Sequence, residues 1–80
     1  MLNLVEQKVS TIYIELLDEG TDCWRPASAV RLSAGVYRII GTKPEDETWR
    51  FQPGDVVRCT EQHFSEGDGL VAYEKVASSI

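Results

Sequence analysis

Cys59 and His63 are the nearest approach this 80-residue sequence makes to a nucleophile beside a base. A thiol attacks as its thiolate, and a histidine within hydrogen-bond reach is the usual means of forming one. The two stand four positions apart. In a strand rising about 3.3 Å per residue they would share a face roughly 13 Å apart, too far for proton transfer. His63 is the only histidine and is expected at the surface beside the last turn. Zinc fares no better, since Cys23, Cys59 and His63 offer three ligands and no C-x-x-C pair anchors them. "DEGTD" and "SEGDG" carry acids and glycines without the carboxylate offsets of a calcium loop. Asp18, Glu19, Asp22, Glu45, Asp46, Glu47, Glu66 and Asp68 crowd three connections, where carboxylates are expected to be solvated rather than paired for acid–base work. "GDG" before a strand reads as a hairpin turn, not a phosphate loop. The expectation is no enzyme, no cofactor and no metal.

Binding chemistry is better represented. Arg25, Arg31, Arg38, Arg50 and Arg58 fall on or beside strands while the acids crowd the loops. Two readings stand open for them. One is cross-strand pairing with Glu15, Glu61 or Glu74; the other is a guanidinium surface for an acidic protein partner or a phosphate. Arg31 and Arg38 flank one tight hairpin and are expected to meet on one face. The run "DCWRPASAV" sets Trp24, Arg25 and Pro26 side by side. Proline has no N–H to give a ladder, so the strand is expected to lie at an edge or bulge there, and to bend. A small barrel has room for one tryptophan and not two. Trp49, between "PEDE" and "QPG", is the one expected at the surface, whereas Pro26 leaves the face of Trp24 open. Trp24, Arg25, Arg38 and Trp49 are the candidate binding residues.

The elements that would position them are strands. "STIYIELL" alternates with period two, Ile12, Ile14 and Leu16 on one face and Tyr13, Glu15 and Leu17 on the other. "CWRPASAVRL" follows the turn "DEGTD", and "SAG" closes a tight hairpin into "VYRIIG", where Tyr37 and Ile39 share a face. "TKPEDE" is a polar excursion in which Pro44 could open one helical turn, and "TWRF" reads as a brief strand. "DVVRCTEQ" carries Val57 and Cys59 on one face; "FSEGDG" turns the chain into "LVAYEKV". The organisation is an N-terminal arm or partial strand over 1–9, one domain over 10–76 and a frayed tail over 77–80. Short strands without a long helix must curl to bury both sheet faces. The fold class is therefore all-β, a small, mostly antiparallel, five-stranded barrel of the Src-homology-3-like kind. The alternative is an oligonucleotide-binding-type barrel, with "PEDE" as its helix.

Two stretches resemble known families. "DEGTDCWRPASAVRLSAGVYRII" resembles the first hairpin of Tudor-type barrels, and "FQPGDVVRC" resembles the Pro-Gly-Asp-x-Val start of a strand in several Src-homology-3-like barrels. The chain as a whole is similar to small uncharacterised bacterial proteins of that architecture. Tudor domains hold methylated lysine or arginine in an aromatic cage. Carried over, that resemblance implies Trp24 and Tyr37 as cage walls, although no "DYG"-like segment supplies the others.

Thirteen acids against eight bases give a net charge of -5, which argues against nucleic acid as a general partner. The start "MLNLVEQKVS" does not resemble a signal peptide, and no stretch has the length of an apolar membrane span. The cytoplasm is the expected location, with both thiols reduced. The functional expectation is a non-catalytic protein-interaction module with an unidentified protein partner and possible homo-oligomerisation; a nucleic-acid-binding small barrel is the alternative.

Overall fold

The structure, a computed structural model, describes residues 8–18, 23–64 and 67–77. Five strands, β1 (Val9–Glu15), β2 (Trp24–Ser33), β3 (Val36–Ile39), β4 (Val56–Phe64) and β5 (Gly67–Ala77), close into a barrel in sequence order. Every neighbouring pair is antiparallel except β1 with β5, which run parallel and meet at Tyr13 and Val71. This is a small all-β barrel compatible with the Src-homology-3-like architecture. The oligonucleotide-binding alternative is a Greek key, and an order without crossovers is not one. Where a helix was considered, Glu47 N–H donates to the Pro44 carbonyl at 3.2 Å, a single turn. Val9, from the segment read above as an arm or partial strand, opens β1, and Ala77, read above as the start of the tail, closes β5. The remaining arm and tail residues, 1–7 and 78–80, lie outside the described residues.

Period-two alternation sets the faces. Ile12 and Ile14 of β1, Ala27 and Ala29 of β2, Tyr37 and Ile39 of β3, Val57 and Cys59 of β4 and Ala72 of β5 all point into one core. Three bulges let so short a sheet curl. Each leaves one residue without a register partner, namely Leu32 in β2 and Tyr73 and Val76 in β5. All three are apolar and exposed, because a bulge turns its extra residue out of the alternation.

Pro26 does not break the ladder. It pairs with Tyr13 in an unshifted β1–β2 register. Leu16 N–H donates to the Cys23 carbonyl at 2.9 Å, so hydrogen-bonded pairs alternate from there and Tyr13–Pro26 falls on a non-bonded one. The Pro26 nitrogen therefore faces away from β1, where β3, which pairs only from Ala29 onward, does not reach. Of the two readings of Pro26, the edge holds and the bulge does not.

The connection between β3 and β4 folds back over one end of the barrel. Leu17 N–H donates to the Thr48 carbonyl at 2.7 Å and Arg50 N–H to the Glu15 carbonyl at 2.9 Å. "TWRF" is thus not a strand but a single bridge between Leu16 and Trp49. "QPGD" then turns the chain into β4. Asp55 N–H donates to the Gln52 carbonyl at 3.0 Å, and Gly54 takes the positive φ (95°) that this turn demands. The buried Asp55 carboxylate accepts Gln52 N–H at 2.9 Å and lies 3.6 Å from Lys75 Nζ.

Candidate functional site

The four candidate residues do not form one patch. Trp49, expected at the surface, is 2% exposed and lies in the core beside Phe51. The alanines at 27, 29 and 72 leave the interior room for an indole, and the returning connection delivers it. Trp49 Nε1 donates to the Glu47 carboxylate at 2.9 Å, and the Gln52 side-chain amide donates to the Trp49 carbonyl at 2.9 Å. Glu47, read from sequence as a solvated loop acid, is the hub of this end. Its carboxylate also accepts both the Nε (3.1 Å) and the Nη2 of Arg25. Hydrogen bonds from Arg25 and Trp49 hold the Glu47 carboxyl below the usual carboxylate range, and the hydrogen bond to Glu47, with its charge, raises Arg25.

Arg25 shares the inward register of Ile14 and stands at the barrel mouth, whereas Trp24 shares the outward register of Glu15. Neighbours in sequence, they serve opposite faces. Trp24, half-buried, meets the edge of Phe64 at 6.3 Å between centroids, and Phe64 meets Tyr13 at 5.2 Å. These rings cross β2, β1, β5 and β4 on the outside, over the one register pair that joins β1 to β5. Gly69 of β5 makes the crossing possible. A Cβ there would lie 2.9 Å from Tyr13 and 3.0 Å from Phe64, so the rings occupy the space a side chain would take. On the far side of the seam, the Arg50 guanidinium spans the Glu15 carboxylate (3.5 Å) and the Tyr73 carbonyl (3.2 Å). Tyr37 points into the core while Trp24 faces out, so the cage implied by the Tudor resemblance does not form from that pair.

The arginines divide accordingly. Arg25 is held by Glu47, Arg50 by Glu15 and Arg58 by Glu74, its cross-strand neighbour, at 3.1 Å. Arg31 and Arg38 have no ion pair among the described residues, and they do not meet. Arg31 stands opposite inward-facing Tyr37, while Arg38 stands opposite Val30 on the outer face.

Arg38 has apolar neighbours on four sides, with the Arg58–Glu74 pair at one corner of the same face. Val30 flanks it from β2 and Val56 from β4; Val36 and Ile40 precede and follow it by two positions along the chain. Val9 continues the row beyond Val30. Val30 and Val56 lie outside the core cluster, yet each is only 8% exposed, while Ile40 (46%) and Val9 (62%) are open to solvent. The alternation of "VYRII" about Arg38 carried this signal; the cross-strand valines required the register.

The residues weighed for catalysis are apart in function. Burial pushes the Cys59 thiol up to about 11, away from a nucleophile's range. His63 Nδ1 lies 2.8 Å from the carboxylate of Asp68, its exposed cross-strand neighbour. No group of three or more His, Cys, Asp or Glu able to hold a metal occurs among the described residues, and none of their helices is long and apolar enough to cross a membrane. No protein-family profile, curated protein or solved structure matches the chain.

Proposed function

We propose that this chain is a non-catalytic protein-interaction module, and that it docks its partner on the outer face of β2, β3 and β4 around Arg38. The observation that supports this reading is an exposed guanidinium that has no ion pair among the described residues and stands beside Val30, Val36, Ile40 and Val56. Arginine amid apolar side chains is a composition that interfaces favour. Trp24 contributes from the neighbouring aromatic row; Arg25 and Trp49 act through the barrel end they hold together. The nucleic-acid alternative is weaker, because Arg25, Arg50 and Arg58 are already neutralised by acids and the net charge is -5. The module's setting in this reading is a reducing compartment such as the cytosol, where cysteine thiols stay reduced.

The test is affinity capture from a bacterial lysate on the wild-type protein, with Arg38→Gln and Trp24→Ala as comparisons. Retention of a discrete protein that is lost with Arg38→Gln supports the reading. Identical captures on wild type and Arg38→Gln, or capture of nucleic acid that falls steeply with salt, would overturn it.

A further inference from the structure

Given that interaction reading, on which this step rests, we infer that the partner presents a carboxylate set between apolar side chains, seated on Arg38. The argument is one of complementarity. A docked partner would take Arg38 out of water with no acid of its own chain to meet it among the described residues. An unpaired charge buried at an interface is strongly unfavourable, so the partner must bring the counter-charge. Its flanks must be apolar along the β3 direction, because exposed Ile40 and half-buried Val36 stand on either side of Arg38, with the largely covered Val30 and Val56 beside it in the ladder. Spacing sets a further requirement. Cross-strand neighbours stand about 5 Å apart and same-face residues along a strand about 7 Å apart, so the carboxylate and its flanking groups must fall within one short segment.

Other occupants fit less well. A phosphate would present its remaining charged oxygens to valine and isoleucine. A second copy docked through the same face would bring a second Arg38 into the same small contact, because an isologous contact repeats the same patch on both sides. A basic partner would meet the guanidinium directly.

The experiment uses nine-residue synthetic peptides whose central residue is Glu, Gln, Lys or phosphoserine and whose flanking positions are mixtures of Val, Ile, Leu and Phe. Binding is followed by amide chemical-shift changes in the full chain and by peptide enrichment on immobilised protein. The expected result is enrichment of Glu-centred peptides at least tenfold over Lys-centred ones, with shifts at Val30, Arg38, Ile40 and Val56, both lost in Arg38→Gln. Circular dichroism checks that this surface variant stays folded, and Ile40→Ser serves as a second probe of the same face. Preference for Lys, Gln or phosphoserine centres on this face, or dimerisation through it in sedimentation, would overturn the acidic partner and leave the module reading standing. Shifts confined to Trp24 and Phe64 would relocate the docking face and overturn it likewise. No peptide bound at any position would overturn both.

Discussion

Replacing Trp49 by alanine should cost far more than replacing Trp24, although sequence position suggests the reverse. Trp49 is 2% exposed, packed in the core and tied through its Nε1 to Glu47. Removing so large a buried ring costs about 3–5 kcal/mol, transfer and cavity terms together. A domain of this size has roughly 4–12 kcal/mol of stability in all, so Trp49→Ala should lower Tm by at least about 12 °C and leave a fraction of molecules unfolded at 37 °C. Trp24 is half-buried and meets Phe64 edge-on. Its loss should cost about 1–2 kcal/mol, an aromatic pair plus part of a side chain's burial. Thermal melts by circular dichroism give the comparison. Fluorescence gives an independent one, because Trp24→Phe leaves Trp49 as sole emitter and Trp49→Phe leaves Trp24. The Trp49 ring should emit to the blue and resist acrylamide; the Trp24 ring should emit further to the red and quench more readily. Equal losses of stability, or a Trp49 ring quenched as freely as Trp24, would refute the plugged-barrel account.

Three further outcomes follow from named contacts. Gly69→Ala sets a Cβ against the rings of Tyr13 and Phe64 and should lower stability by about 1–3 kcal/mol in urea titration, whereas Thr60→Ala, at an exposed strand position, should change little. Glu47 has a folded-state pKa below its ordinary value of 4.5. The native carboxyl therefore binds fewer protons than the unfolded one below that pH, and its contribution is present above about 4.5 and lost as pH falls through the folded value. Glu47→Gln should be the less stable protein at pH 7, and the gap in Tm should narrow as pH falls below about 4.5; a gap that stays constant as the solution is acidified would contradict the linkage. The buried Cys59 thiol, pushed up to about 11, should resist iodoacetamide at pH 8 in the native protein and react in urea, as read by peptide mass spectrometry. Equal rates in both conditions would show the thiol to be open.

The strands and their faces were legible because period-two alternation is a local signal. Ile12 with Ile14, Tyr37 with Ile39 and Val57 with Cys59 fall inward as the pattern requires. Pro26 was legible only to the extent that it must avoid a ladder bond; that it does so at an unbulged, non-bonded pair depends on the β1–β2 register. The bulges lie instead at Leu32, Tyr73 and Val76, which look in sequence like ordinary strand residues. Trp49 was misread because its neighbours are polar, while its burial comes from a connection that bonds to Glu15 and Leu17, over 30 residues away. The same long-range closure turned Glu47 from a loop acid into the acceptor for Arg25 and Trp49. Of the candidate site, Arg38 and Trp24 were visible as residue types, but that Arg31 and Arg38 are the arginines with no ion pair among the described residues could be decided only once the pairs were placed.

The most direct test of the interaction face is photocrosslinking from its rim. A photoreactive phenylalanine analogue in place of exposed Ile40, and as a control in place of exposed Thr60, would be irradiated in bacterial lysate. The account predicts one discrete crosslinked product from position 40, lost when Arg38→Gln is added, and none from position 60. No product at position 40, or one that persists without Arg38, would contradict it.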